Sequence, residues 1–149
     1  MVETFSLPLR IVLADPPPGV LYCLQGSSRA DAVAHRRSEG SDLHFDLSVE
    51  VRLDGDVPDF RGPLVQGRRG ERYIAILAGT LAGDAASSWT RGAKIPLGGI
   101  TRPLLEELRS RVDARLTATF PGRARDGGPS CATLRPIGEG WQVAPLSEP

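Results

Sequence analysis

The side chains best suited to hold a ligand lie in the middle third of the 149-residue chain. Residues 61–102 carry seven basic and two acidic side chains, whereas residues 1–60 carry five and ten, and residues 103–149 carry six of each. Arginine offers a planar fork to carboxylates and phosphates, and tryptophan offers a flat stacking surface. Glycines beside them let backbone N–H groups approach an anion. We therefore predict a site for a small anionic or aromatic ligand, held by Arg61, Arg72, Trp89, Arg91 and Lys94.

These cations also have an interpretation without a ligand. Arg68 and Arg69 lie between two glycines, a pattern typical of a solvated turn. Arg61 and Arg72 would then pair with the acidic N-terminal third of the chain across a sheet. A second basic loop, residues 123–131 (RARDGGPSC), either forms an anion-binding nest of backbone N–H groups or simply connects a helix to a strand. The residue types leave both alternatives open.

Motifs for the common catalytic chemistries are missing from the sequence. It contains no phosphate-binding loop, no dinucleotide-binding glycine pattern, and none of the HExxH, CxxC and GxSxG motifs. The two histidines, His35 and His44, are too few for a multi-histidine metal centre, so we expect neither a metal nor a cofactor. Cys131, His44 and Asp46 would suit nucleophilic catalysis, but no pattern brings Cys131 near the other two. Whether the protein is an enzyme stays open at this point.

Composition argues against several classes of partner. Eighteen basic side chains balance eighteen acidic ones, and aromatic residues make up only 5% of the chain, so we expect no binding to nucleic acid. No apolar run approaches the roughly 20 residues that span a bilayer, and the N-terminal MVETFSLPLR lacks the features of a signal peptide. We therefore expect a cytoplasmic protein without membrane contact, in which Cys23 and Cys131 are reduced thiols.

The elements that must position these residues are mostly short strands. Seventeen glycines and thirteen prolines, about a fifth of the chain, exclude a helical bundle. Residues 42–53 (DLHFDLSVEVRL) alternate polar and apolar side chains without exception, which predicts a long strand with its apolar face inside. Apolar runs at 7–13, 20–25 and 72–81 predict further strands, the last of them central in its sheet. Such one-sided alternation is typical of antiparallel sheets.

One helix is predicted, from residue 102 to about residue 118. Thr101 suits its N-cap, and apolar residues at helical spacing form a stripe along one face: Leu104, Leu105, Leu108, Val112 and Leu116. After the helix, residues 131–135 and 140–144 predict a hairpin around a Gly-Glu-Gly turn. Residues 26–41 are polar and small, and we expect a flexible loop there.

Together these elements predict an α+β fold in one globular domain, residues 1–149. The sheet is expected to be mainly antiparallel, a strongly curved sheet or partial barrel of six or seven strands, with the amphipathic helix packed against it. Two alternatives to ligand binding follow from this architecture. An exposed strand edge or the proline-rich rims would support a homodimer or another protein-interaction module. A cavity inside the curved sheet would support a small cyclase or isomerase that acts through shape and orientation.

Five strings of the chain are distinctive in combination: ADPPPGV (14–20), FRGPLVQG (60–67), ERYIAI (71–76), SSWTRGAKIPLGGIT (87–101) and RDGGPSCAT (125–133). In these strings the chain resembles an uncharacterised bacterial domain-of-unknown-function family of small single-domain proteins. The resemblance covers most of the chain apart from residues 26–41, and it implies a small stand-alone bacterial protein. It implies no activity, so it assigns no catalytic role to any residue.

Overall fold

A computed structural model describes residues 2–26, 33–37, 41–82, 85–124 and 133–147, with the side chains of residues 33–37 and 80–92 outside the description. Nine strands and one helix are found in these ranges. In chain order they are β1 (Glu3–Ala14), β2 (Leu21–Leu24), β3 (Val33–Arg37), β4 (Leu43–Leu53), β5 (Pro58–Arg61), β6 (Tyr73–Ala82), β7 (Ala85–Pro96), α1 (Arg102–Arg109), β8 (Ala114–Pro121) and β9 (Gln142–Pro145).

The strands form two sheets, one in the order β5-β4-β1-β8-β9 and one in the order β3-β2-β6-β7. Every strand pair is antiparallel except β1 with β8, so the prediction of a mainly antiparallel arrangement is confirmed. The predicted α+β class is wrong, because the fold is mostly β and its helix is only eight residues long. A single curved sheet or partial barrel is also wrong. In the described ranges there are two separate sheets, and neither closes on itself.

Strand β4 has the two-sided character that its alternating sequence predicts. Its even-numbered residues face outward, while its apolar residues are buried or, for Leu47, partly buried: Leu43, Phe45, Val49, Val51 and Leu53. Because β4 pairs with β1 over eleven residue pairs, the dry faces of the two strands coincide, with Leu9 opposite Leu47 and Ile11 opposite Phe45. This matched register buries one face of the larger sheet.

Both sheets contribute side chains to one hydrophobic core. Ile11 of β1 and Phe120 of β8 come from the larger sheet, and Tyr22 of β2 and Ile76 of β6 come from the smaller one. Helix α1 adds Leu105, which is fully buried. Strand β6 lies between β2 and β7, as its nearly continuous apolar run predicts. A shared core of this kind holds the two sheets together through burial of apolar surface.

The helix is shorter than its sequence pattern predicts. Helix α1 ends at Arg109, and Val112, which was expected on the buried stripe, is 92% exposed. Asp113 has a positive φ of 56°, a backbone conformation that breaks a helix, and β8 begins at the next residue. From Leu116 to Pro121 the burial in β8 alternates with period two rather than with helical period, and Leu116, Ala118 and Phe120 are the buried residues. Among the described residues, no helix is long and apolar enough to cross a lipid bilayer.

Three connections also differ from the sequence prediction. Residues 85–96, for which the sequence analysis predicts no strand, form the long strand β7 beside β6. Residues 33–37, expected in the loop at 26–41, form β3 and pair with β2, while 27–32 and 38–40 lie outside the described residues. The predicted C-terminal hairpin is wrong, because β9 pairs with β8 instead.

Candidate functional site

A buried carboxylate collects two of the arginines that were predicted to hold a ligand. Asp59 of β5 is only 5% exposed. Its Oδ1 atom accepts a hydrogen bond of 3.0 Å from Nε of Arg72, and its Oδ2 atom lies 3.5 Å from Nη2 of Arg72 and 3.6 Å from Nε of Arg61. Arg61 reaches the carboxylate because residues two apart on a strand share a face. We call these three residues the Asp59 cluster.

The charged side chains of the Asp59 cluster form ion pairs with one another. Burial acts to raise the pKa of Asp59, but the hydrogen bond and positive charge of Arg72, together with a backbone hydrogen bond from Phe60, lower the pKa below its ordinary value. The carboxylate is therefore ionised at neutral pH. Arg72 also donates from Nη1 to the carbonyl oxygen of Gly67, so its guanidinium is held on two sides by protein acceptors.

A tight turn before β6 fixes the position of Arg72. The backbones of Gln66 and Tyr73 bond to each other at 2.8 and 3.1 Å, and the N–H of Glu71 donates to the carbonyl of Arg68 at 2.8 Å. Gly67 has a φ of 85°, which favours glycine. The exposed side chain of Arg68 pairs with Glu71 at 3.0 Å. This geometry agrees with the interpretation of the Gly-Arg-Arg-Gly string as a solvated turn.

Lys94 of β7 is in a different situation. It lies opposite Ala75 of β6 and diagonal to Tyr73, so the side chains of Lys94 and Tyr73 share a face of the sheet. The Nζ atom lies 4.6 Å from the centroid of the Tyr73 ring, a cation–π contact. In the part of the chain that the structure describes, no carboxylate lies within ion-pair distance of Lys94.

Two grooves lie on either side of Arg72 and share Arg72, Gly70 and Gly98 in their walls. The first, which we call the apolar groove, has a volume of about 170 Å³ and is otherwise lined by Val57, Pro58, Phe60 and Ile100. The second, the lysine groove, has a volume of about 250 Å³ and is otherwise lined by Glu71, Tyr73, Lys94, Pro96 and Thr133. Arg72 therefore lies in the walls of both grooves, whereas Lys94 lines only the second.

A third groove lies across the following loop. This tryptophan groove has a volume of about 380 Å³ and is lined by Pro96, Gly99, Phe120, Pro136, Gly138, Glu139, Gly140 and Trp141. Phe120 and Trp141 meet edge to face, with ring centroids 6.0 Å apart. Pro96 belongs to both this groove and the lysine groove.

The structure brings three of the five predicted ligand residues into one region. Arg61 and Arg72 meet at Asp59, and Arg72 and Lys94 line the lysine groove. Trp89 and Arg91 lie on β7 opposite Gly79 and Leu77, but their side chains are outside the described part. Two neighbours of these cations, Asp59 and Tyr73, were not predicted from the sequence. The i, i+2 spacing of Asp59 and Arg61 on a short strand was a usable signal for the first of them.

The described residues test only part of the nucleophilic arrangement of Cys131, His44 and Asp46. Asp46 accepts a 2.8 Å bond from Nε of Arg10, and that hydrogen bond is the main reason why the pKa of Asp46 lies below its ordinary value. Cys131 lies outside the described residues. Burial raises the pKa of Cys23 to about 11, so that thiol is protonated at neutral pH. No group of three or more potential metal ligands occurs in the described ranges.

The basic loop after β8 is only partly described. Arg123 donates from Nε to the carbonyl oxygen of Asp15 at 3.0 Å, and its Nε lies 3.5 Å from the Asp15 carboxylate. This cation is therefore held by the corner that follows β1. Residues 125–131 lie outside the description, so the anion-binding nest stays a prediction.

Comparison with known proteins identifies the family of the chain. Residues 7–144 match the model of DUF5990, a family of unknown function, and the chain belongs to that family. This match confirms the predicted resemblance to a domain-of-unknown-function family, and the bacterial origin stays a prediction. No curated protein and no solved structure matches the chain.

Proposed function

We propose that this protein binds a small organic anion in the lysine groove, with an apolar or aromatic part of the ligand in the neighbouring apolar groove. One observation carries the proposal. Lys94 lies on a groove wall with an aromatic ring beside its ammonium group and no carboxylate partner among the described residues. A cation that folding leaves without an anionic partner beside an open groove is suited to bind an anion from solution.

The chemical nature of the polar end of the ligand is inferred from the residues around Lys94. The ammonium group offers N–H donors to a carboxylate or phosphate. Thr133 is exposed on the same groove and adds a hydroxyl group. The Thr133 position is fixed, because it bridges to Lys94 and the next residue, Leu134, donates its N–H to the Lys94 carbonyl at 2.9 Å. The charge of Lys94 and the hydroxyl group of Thr133 therefore belong to two neighbouring segments that the backbone holds together.

The apolar end of the ligand is inferred from the residues that line the apolar groove. Val57 is 66% exposed there, next to Phe60 and Ile100, which are buried. Covering the exposed part of this surface with a ring or short alkyl chain removes apolar area from water, at roughly 25 cal/mol per Å². A carboxylate that carries a ring or a short chain therefore matches both grooves better than an inorganic anion does.

The test compares charged ligands with neutral ligands of the same shape. Isothermal titration calorimetry is performed with benzoate, phenylacetate and caproate, and with the corresponding amides as uncharged analogues. We expect at least one carboxylate to bind while its amide binds at least about tenfold more weakly, because a charge-assisted hydrogen bond contributes about 1.5–3 kcal/mol. Equal affinity for acid and amide, or no binding of any carboxylate, contradicts the proposal.

Variants assign the binding to the lysine groove. Lys94→Met keeps the length and apolar stem of the side chain but removes the charge, so carboxylate binding is expected to fall to the level of the amide. Arg111→Met is the matched control, because Arg111 lies after α1, on an exposed surface, and pairs with Glu107. Binding that survives Lys94→Met, or that Arg111→Met weakens to the same extent, would place the anion elsewhere.

The chain also offers a direct reporter of the site. Lys94 is its single lysine. Reductive methylation with an isotope label therefore places a signal on Lys94 and on the N-terminal amine, and NMR can follow both. The Lys94 signal is expected to shift during a carboxylate titration while the N-terminal signal does not. The homodimer and the small cyclase or isomerase stay predictions that these experiments do not address.

A further inference from the structure

We infer that the ligand carries a second, positively charged group, which binds in the tryptophan groove, so that the preferred ligand class is a small zwitterion such as an ω-amino carboxylate. This inference rests on the proposed function, because it assigns the anionic end of the same ligand to Lys94. It adds the opposite charge and the groove that receives it: the chain of a linear zwitterion runs from the lysine groove to the tryptophan groove, and the apolar groove is left to a branch or ring of the ligand. Three features of the described residues support it.

The first feature is the opposite charge of the two adjoining grooves. Lys94 and Arg72 line the lysine groove together with Glu71, which is already paired with Arg68. Glu139 is the charged residue of the tryptophan groove, and no basic side chain of the described part lies within ion-pair distance of it. A ligand that spans both grooves therefore meets a cation at one end and a carboxylate at the other.

The second feature is the way in which the backbone presents Glu139. The residue lies between Gly138 and Gly140, whose φ values of 86° and 87° are in the left-handed region. This turn leaves Glu139 exposed at its tip, and Trp141, two residues further on, lies in the wall of the groove. A carboxylate accepts charge-assisted hydrogen bonds from an ammonium group, and an aromatic residue in the same groove offers an apolar surface to the ligand chain.

The third feature is the low ridge between the two grooves. Leu97 accepts a hydrogen bond of 3.1 Å from the N–H of Ile100, so Gly98 and Gly99 form the middle of a tight turn. Gly98 lines the lysine groove and Gly99 lines the tryptophan groove. A Cβ atom added to Gly98 would meet no atom within 4 Å, and one added to Gly99 would meet only Trp141, at 3.7 Å. At Gly98 and Gly99 no side chain projects between the two grooves, so a flexible ligand chain can cross at this turn.

The experiment uses pairs of ligands that differ only in the amino group. Calorimetry compares β-alanine, γ-aminobutyrate and ε-aminocaproate with propionate, butyrate and caproate, and butylamine tests the cation alone. At one chain length we expect the amino acid to bind about three- to tenfold more tightly than its parent acid, the gain expected for a partly exposed ion pair. The chain length with the largest gain measures the separation of the two charges.

Two variants assign that gain to the tryptophan groove. Glu139→Gln is expected to remove the advantage of the amino acid and to leave the affinity for the parent acid unchanged. Glu107→Gln, on the exposed surface of α1, is the matched control and should change neither affinity. Gly98→Val places a branched side chain on the ridge and is expected to weaken the amino acid more than the parent acid, since only the longer ligand crosses it.

The outcomes separate this inference from the proposed function. If the parent acids bind and the amino group adds nothing at any chain length, the zwitterion inference is wrong and the anion site stands. If neither series binds, the proposed function itself fails. If the amino group helps equally in wild type and in Glu139→Gln, the second charge lies elsewhere and the tryptophan groove is not its site.

Discussion

The Asp59 cluster and the lysine groove lie side by side, yet their cations have different roles. Arg72 donates to a carboxylate and to a carbonyl of the protein, and Arg61 lies on the same carboxylate. Lys94 lies in the wall of the lysine groove. Among the described residues, the contact found for its ammonium group is the ring of Tyr73. Arginine suits the first role because its planar fork can bond several acceptors at once, whereas lysine presents a single mobile charge.

This difference shows why an excess of positive charge along the sequence does not measure binding capacity. Two of the four predicted ligand cations, Arg61 and Arg72, are engaged by Asp59, and their first effect is on the folded state. Lys94 has no carboxylate partner in the described residues. Substitutions in the Asp59 cluster should therefore change the stability of the fold, whereas substitutions in the lysine groove should change ligand binding.

The largest effect is expected from removal of the shared carboxylate. Asp59→Ala leaves the guanidinium of Arg72, which is 20% exposed, without its ionic partner. We expect the free energy of unfolding to fall by about 2–4 kcal/mol, because a largely buried charge loses its counter-charge. Urea denaturation measures this loss. Asp56→Ala, in the exposed turn before β5, is the control and should change stability by less than about 0.5 kcal/mol. Equal effects of the two variants would show that Asp59 does not stabilise the fold.

A pair of glycine substitutions sharpens the same contrast. Gly67→Ala puts a Cβ atom 2.5 Å from the carbonyl oxygen of Glu71 and requires a residue with a side chain at a φ of 85°. The turn that holds Arg72 must then shift, and we expect a loss of about 1–3 kcal/mol. Gly98→Ala meets no neighbouring atom, so its stability should stay within about 0.5 kcal/mol of wild type. Thermal unfolding of both variants decides; a larger loss for Gly98→Ala would contradict the geometry.

The smallest expected effect is a dependence of stability on pH. The pKa of Asp59 is lower in the folded protein than its ordinary value, so its contribution is present above about pH 4 and is lost as the pH falls through the folded value. Asp59→Asn should therefore lose less stability than wild type as the pH falls from about 6 to about 3. Urea midpoints at both pH values provide the measurement. The pKa of Asp46 is also lowered in the folded protein, so Asp46 contributes to the stability that Asp59→Asn still loses at low pH.

Much of the larger sheet could be predicted from the sequence, because burial on one face leaves a period of two. This pattern identified β4 and the direction of its apolar face, and the apolar run at 7–13 identified β1. The same reasoning failed at residues 110–121. Four leucines and a valine at helical spacing outweighed the alternation of Ala114, Leu116, Ala118 and Phe120, and the positive φ of Asp113 has no strong sequence signature.

Strand β7 shows a different limit of sequence analysis. Its residues, AASSWTRGAKIP, alternate weakly and include many small side chains. They form a strand because β6 offers a row of backbone partners, and the register shifts at two points along the pair. Backbone hydrogen bonds to a neighbouring strand depend on distant residues, so the segment itself carried little of the information.

The positive charge of the candidate site could be predicted from the sequence, but the residues that contact its cations could not. Arg61, Arg72 and Lys94 could be identified as a local excess of positive charge, and the alternative that Arg61 and Arg72 pair with the acidic N-terminal third agrees with their contacts to Asp59. The ring beside Lys94 depends on the register of β6 and β7. The two flanking grooves depend on a turn at Gly98 and Gly99 that brings together segments far apart in the chain.

The amino-acid sequence by itself determined which faces of β1 and β4 are dry and where positive charge accumulates, because both are properties of neighbours along the chain. Only the tertiary structure decided which cations are neutralised and which remain open. It also decided whether residues 114–121 extend a helix or join a sheet. Ion pairs, strand partners and groove walls form between residues that are distant in sequence, and their free energies exist only once the two sheets share a core.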